Sequence, residues 1–337
     1  MLCRGTGVLD ERKPASIANT FYLTEYQGYI QTNNLSIANS YERFCRGFYK
    51  IKTVPICVPD DDDAIKKLRD VLRPWESNYT MEEEKPVYAD MLIKNGKIEM
   101  IAEKINVTAK MEVYDAKGLF IFPGFIEAHS HLGIWEDGLG FEGSDGNEDT
   151  DPATPHLRAI DAVNPRDNSF KEALEAGITA VVTGPGSANP VAGQMVAIKT
   201  YGSCVDDMVI KTPVAMKFAL GENPKNTYHS KDETPATRMA TAAIIREQLK
   251  KAERYQRDLL AAEEDEDTDE PEIDVKSEAL VEVVDRSIQS HFHAHRSDDI
   301  FTAIRISKEY DLDLVLIHCT EGYLNAKKLA EEKAKVV

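Results

Sequence analysis

Two kinds of hydrophobic pattern divide the chain. Up to about residue 86, apolar and polar positions mix without a steady period, and Ala15–Gly28 and Asn39–Lys52 scatter their aromatics irregularly. One segment there has a clear period. Asp60 to Asp63 form an acidic start, Ile65, Leu68, Val71 and Leu72 recur at helical spacing, and Pro74 stops the run. From Met91 the pattern sharpens. Met91–Ile101 is two apolar stretches around Asn95-Gly96, the dipeptide of a two-residue hairpin turn. Tyr114–Phe120 adds a strand and a turn. Beyond it, strand-like runs lie at Ile121–His131, Ile178–Thr183, Met208–Lys211, Pro213–Leu220, Ile288–His295 and Leu312–His318. Helical periods separate most of them, at Asn168–Glu175, Pro235–Ala262, 274–287, Asp298–Lys308 and Asn325–Ala334. Strand and helix in repeat predict a parallel α/β sheet or barrel.

Chemistry concentrates at the ends of these strands. His129 and His131 are two positions apart, so on a strand both rings leave the same face. Imidazoles placed this way can share one divalent cation, with Zn²⁺ the usual occupant. His291, His293 and His295 alternate in the same manner, and Leu312–His318 ends in another histidine. Five of the eight histidines, His129, His131, His293, His295 and His318, fall at predicted C-terminal strand ends, which form the active face of a parallel barrel. In Pro213–Leu220 the bulky Val214, Met216, Phe218 and Leu220 share a face suited to helices. Ala215, Lys217 and Ala219 face inward. A buried unpaired ammonium is costly, so an inward Lys217 is expected to be functional, paired or modified. The Gly184-Pro-Gly loop after Ile178–Thr183 fits equally a ligand cradle of backbone amides and an ordinary turn.

Composition narrows the class. Lys and Arg total 40 against 58 Asp and Glu, a net charge of −18, which disfavours nucleic acid and anionic membrane as partners. Five scattered cysteines without Cys-x-x-Cys spacing, and no apolar signal segment, fit a reduced cytoplasmic setting. Cys319 is expected to be a small buried hydrophobe. The acidic run Glu263–Glu272 is expected to be solvated and disordered. Neither a Gly-x-Gly-x-x-Gly nor a P-loop pattern supports a nucleotide-binding reading.

Pro123-Gly-Phe-Ile-Glu-Ala-His-Ser-His131 resembles the first barrel strand of the metal-dependent amidohydrolase superfamily. His293-Ala-His-Arg-Ser-Asp-Asp-Ile300 is similar to its imidazolonepropionase-like group. The resemblance covers roughly residues 88–337, with Glu127 where the family has aspartate. It implies an α/β fold: an incomplete TIM-type (β/α)8 barrel, strands one to six, over 121–337, with part of a small flanking β-sandwich over 87–120. Residues 1–86 remain an unassigned extension. It implies one or two divalent metals, with zinc the expected ion, held by His129 and His131 on one side and His293 and His318 on the other. Lys217, carbamylated, or Glu222 would bridge them, and His295 would touch substrate, its order with His293 left open. The implied reaction is hydrolysis of an amide or cyclic amide C–N bond in a small molecule. The family's eighth-strand aspartate has no counterpart up to Val337, nor is a seventh strand expected. A second chain or a homo-oligomer completing the barrel, or a non-catalytic remnant, is therefore the alternative expectation.

Overall fold

The computed structural model describes residues 2–4, 21–24, 88–116, 120–265 and 267–337, and the chain divides into two compact units, Met1–Phe125 and Ile126–Val337. The expected helix at Asp60–Arg73, together with Cys45 and Cys57, lies outside the described residues.

In the first unit, strands β1 (Leu2–Arg4), β3 (Asp90–Lys94), β4 (Lys97–Ala102) and β5 (Val113–Asp115) form a sheet in the order β4-β3-β1-β5. β2 (Phe21–Thr24) pairs antiparallel with β6 (Phe120–Pro123). Two segments of the supposed extension thus belong to sheets. The expected hairpin is present: Asn95 and Gly96 both take positive φ, 52° and 71°, and Lys94 pairs with Lys97. Two successive positive φ values match the twist of the flanking strands, which explains the Asn-Gly choice. Met91, Ala116 and Ile121 make a small core of their own.

The second unit is a mixed α/β domain around a seven-stranded sheet. Its strands are β7 (Phe125–Ser130), β8 (Ile178–Thr183), β9 (Val191–Lys199), β10 (Val209–Ala219), β11 (Gln289–Ala294), β12 (Leu314–His318) and β13 (Lys335–Val336). They lie in sequence order across the sheet. The sheet is not all parallel, contrary to the sequence expectation. β9, a segment that periodicity leaves unassigned, runs antiparallel to both β8 and β10. Connection length explains this. A parallel pairing needs a crossover of a dozen or more residues, and the 184–190 loop is too short for one. The β9–β10 connection holds only the single turn α2 (Val205–Met208). Ahead of β8, α1 (Asn168–Glu175) ends on Gly177, whose φ of 85° closes the helix as expected.

The remaining crossovers are long and their pairings parallel. Between β10 and β11 run α3 (Glu222–His229), α4 (Arg238–Glu264) and α5 (Val275–Val284), and between β11 and β12 runs α6 (Ser297–Glu309). The two expected strands at 208–211 and 213–220 are one continuous strand, β10, with register shifts before Ala215. The last expected helix is shorter, α7 (Ala326–Glu331). Lys333 turns to a φ of 53°, and Lys335–Val336 then pairs parallel with β12, so a seventh element does join the sheet.

The outward side chains of β10 and β11, Met216, Phe218, Leu220, Phe292 and Ala294, pack with Ile245, Leu249, Leu280 and Ile300 of the helices. The acidic residues of the run are exposed where described, although the first of them finish α4 and Thr268 N–H then closes a turn on the Asp265 carbonyl. Among the described residues no helix is long and apolar enough to cross a membrane.

Curvature brings the sheet's ends together. β7 and β12 are five places apart in the strand order. In a flat sheet that would be roughly 24 Å. Yet the His129 and His318 ring centroids are 5.6 Å apart. The sheet is therefore curled into a half-barrel, with one face turned in on itself.

Candidate active site

Alternation places Lys217, His291 and His293 on the inner face, and register aligns them: Lys217 opposite His291, Ala219 opposite His293. Small alanines on β10 leave room for the lysine. Lys217 is fully buried, and its Nζ lies 2.9 Å from His129 Nε2. Burial pushes its ammonium down to about 7, because no water remains to solvate the charge.

His131 comes from the same strand end. Its Nδ1 donates to the Gly184 carbonyl at 2.7 Å, which fixes the tautomer and leaves the Nε2 lone pair free. Glu127 accepts the His129 backbone N–H at 3.0 Å, so the longer carboxylate secures the strand end. Burial first, and then the neighbouring Lys217, lower the pKa of His129 and His293, and both imidazoles are neutral at pH 7. His131 is also lowered, mainly by burial. His291 falls to about 4 for the same two reasons.

On the opposite side, ligand-capable nitrogens of His293, His295 and His318 lie within 4.8 Å of one another. The His295 and His318 rings stack at 4.9 Å, and His293 meets both edge-on. His318 reaches this cluster by an unusual backbone. Its register partner Ala294 faces the helices, so a regular strand would turn His318 outward. A φ of 68° at His318, followed by 43° at Cys319, ends the pleat and re-aims the ring. Such conformations cost about 1 kcal/mol or more and cluster at functional sites. Cys319 itself is buried, as expected.

The expected residues His129, His131, Lys217, His293, His295 and His318 are thus gathered at one end of the half-barrel. Glu222 is not turned into them: it is exposed at the start of α3. Its neighbour Asn223 reaches the cluster instead, donating from Nδ2 to His293 Nε2 at 3.2 Å and to Ser187 Oγ at 2.7 Å. Three further residues at the site have no role assigned by the sequence, although His291 shares the face of His293 and His295 there. His291 forms the floor beside Lys217, its ring 6.3 Å from that of His129. Thr320 Oγ1 lies 2.7 Å from His295 Nδ1. Trp135 sets its indole edge-on to His131 at 4.7 Å.

The Gly-Pro-Gly loop is no free cradle. The amide of Gly184 donates to Ser130, that of Gly186 to Gly146, and that of Ala188 to Asn147 Oδ1. Its role is to hold other residues. Buried Nδ1 atoms of His129, His291 and His293 have no hydrogen-bond partner. Neutral imidazoles with orphaned nitrogens around a weakly basic amine suit a first-row divalent cation.

Comparison with known proteins gives consistent results. No family model matches the sequence. The chain is 27% identical over 261 residues to amidohydrolase tasK of Hapsidospora irregularis, covering 68% of this chain and 26% of that protein. A 43-residue stretch is 54% identical to a dihydroorotase of Listeria welshimeri, 13% of this chain and 10% of that one. A crystal structure of an amidohydrolase from Thermotoga maritima superposes with a TM-score of 0.73 and 43% identity, over 77% of this chain and 67% of that chain. The chain spans about a quarter of the length of the Hapsidospora relative and a tenth of the Listeria one.

Proposed function

Because this chain belongs to the amidohydrolase superfamily, we propose that its histidine-and-lysine site hydrolyses an amide or cyclic amide C–N bond of a small molecule with the help of divalent metal. The observation that carries this reading is the convergence of His129, His131, Lys217, His293 and His318 on one end of the sheet, from four different strands. Zinc is the ion that best suits neutral nitrogen donors. His129 and His131 would hold it on one side, and His293 and His318 on the other. When bound, such an ion lowers the pKa of water to about 7 and polarises a carbonyl.

The chain's own residues supply the rest. Lys217 loses its proton near pH 7, so its amine can add CO2, releasing a proton and forming a carbamate. That group would give the inner face the carboxylate it otherwise lacks, in preference to Glu222. His131 is oriented by Gly184, and His295 by Thr320, which leaves His295 Nε2 able to carry a proton at the mouth of the site. The motif over residues 293–300 favours the imidazolonepropionase-like group, and the reduced cysteines a cytoplasmic setting. Sheet edges such as β13 are where further strands add. The proposal therefore extends to a second copy or a second chain completing the barrel.

Elemental analysis and an amide-hydrolysis panel on the purified chain test the proposal. About one or two zinc ions per chain are expected, with metal and turnover both lost in His129→Ala. A folded protein that takes up no metal would overturn it.

A further inference from the structure

Below the histidine cluster, the inner face of the sheet carries a second line of polar side chains. Alternation along β11 puts Gln289, His291 and His293 on that face. Its parallel pairing with β10 sets Ala215 opposite Gln289 and Lys217 opposite His291. His291 is buried, and no step of the proposed reaction uses it. Its Nε2 lies 3.3 Å from Gln289 Oε1. The Gln289 amide is held in turn, since its Nε2 donates to Asp313 Oδ2 at 3.5 Å. Asp313 stands one residue before β12, and its carbonyl accepts from Ser290 N–H at 2.9 Å. Lys335 of β13 pairs with its other carboxylate oxygen.

The direction of each bond is forced. A carboxylate only accepts, so the amide turns its NH2 to Asp313 and its oxygen to the ring. That oxygen also only accepts, so the ring proton sits on Nε2. His291 is neutral at pH 7 and has one such proton. Its Nδ1 is therefore a bare acceptor, and it is buried without a partner. An unsatisfied buried acceptor is costly, which points to a donor that comes to it.

The donor facing it across the strand pair is Lys217. In this structure the Lys217 Nζ meets His129 Nε2, and the His129 ring lies 6.3 Å from that of His291. Lys217 and His129 can serve one cation only through the nitrogens that now join them. Once His129 Nε2 is a metal ligand, the lysine N–H needs another acceptor. In the carbamate form a single N–H remains on Nζ, and buried there it needs one as well.

We propose that Asp313 and Gln289 are positioning residues that lock His291 in its Nε2–H tautomer, so that His291 Nδ1 receives the N–H of Lys217 and orients the group Lys217 presents, a role that rests on the hydrolase reading above. The string starts at the N-terminal ends of β11 and β12, away from the histidine cluster, and ends at the floor of the site. Without it, the other tautomer would set an N–H of His291 against the N–H of Lys217, donor against donor.

The test is nitrogen-15 NMR of the full chain labelled at its histidine rings, metal-stripped and zinc-loaded, with the His291 signals identified by their loss in His291→Gln. Protonated and bare ring nitrogens differ widely in shift, so the tautomer is read without an activity assay. The wild type is expected to favour Nε2–H by about tenfold or more in both states. Gln289→Leu and Asp313→Ala should each cut that preference to about threefold or less, and either variant alone decides. Zinc should move Nδ1 toward the shift of a hydrogen-bonded acceptor, and the move should vanish in Lys217→Met at zinc concentrations that fill the histidines. A wild type with the proton on Nδ1 overturns the proposal. So does a tautomer unmoved by the substitutions, or a zinc-induced shift that persists in Lys217→Met. A chain that takes up no zinc sinks the hydrolase reading instead, and the tautomer still decides whether Gln289 and Asp313 position His291.

Discussion

The two faces of β10 and β11 are equally buried and chemically opposite. On the outer face Phe218 and Phe292 stack at 4.6 Å, nearly parallel, within the layer of helix side chains. On the inner face Lys217, His291 and His293 are as deeply enclosed, yet two of their nitrogens have no partner. Ser290 Oγ is the outer exception. Burial alone therefore does not separate core from site in this domain. What separates them is whether burial is accompanied by satisfied chemistry. The outer face lowers the free energy of folding, and the inner face raises it in exchange for reactive groups.

The largest expected effect comes from breaking the outer face. Phe292→Ala should cost about 4 kcal/mol of stability, from lost transfer energy and the cavity left behind. Urea denaturation of the variant reads this directly. A loss below about 1 kcal/mol would mean that the stack is not part of the working core.

Lys217→Met tests the inner face and should act in the other direction. Exchanging a buried ammonium for an apolar side chain of similar length is expected to be neutral or stabilising by about 1–2 kcal/mol in the metal-stripped protein at pH 7. pH gives the comparison a sign. Lys217 releases its proton near 7 in the folded chain and near 10.5 when unfolded. Between those values the unfolded state binds more protons, so wild-type stability rises with pH. The variant lacks this contribution. Its advantage should shrink between pH 7 and 10, and a constant gap across that range would show that Lys217 is charged in the fold.

A smaller effect sharpens the helical side. Asp274 caps α5, accepting from the backbone of Lys276 and Ser277 and from the Ser277 hydroxyl, which holds its carboxyl below the ordinary value of 3.8. Asp274→Ala should lower stability by about 1 kcal/mol at neutral pH. Because the folded pKa is depressed, the cap's electrostatic part is present above pH 4 and fades as pH falls through the folded value. Denaturation curves of the two proteins should therefore converge in acid.

Much of this contrast is legible in the sequence because it follows the two-residue period of a strand. Bulky residues at 216, 218 and 220 against alanines around Lys217 assign both faces of β10, and His129 and His131 follow the same rule. The Asn95-Gly96 hairpin was equally readable, since few dipeptides accept two positive φ values. Other features depend on forces that no local period records. β9 contains Gly193 at a φ of 144°, where a Cβ would come within 2.8 Å of the Leu157 carbonyl, so its run lacks the alternation of a half-buried strand. His318 joins the site only through its own left-handed backbone. Glu222 looked like the available carboxylate, whereas the way α3 begins turns Asn223 inward. Trp135 carried no signal, because the glycines it packs against, Gly146 and Gly186, are 11 and 51 positions away.

The antiparallel β9 also bears on how the domain assembles. β8, β9 and β10 form a meander whose pairings link near neighbours in the chain, and such local contacts form quickly. The two sides of the site are far apart in sequence: Lys217 and His129 alone are separated by 88 positions. Their meeting requires the whole sheet to close, which is a slow, non-local event. Competence to hold a ligand is accordingly among the last properties the chain acquires, and a ligand that binds there stabilises the finished domain without favouring its precursors.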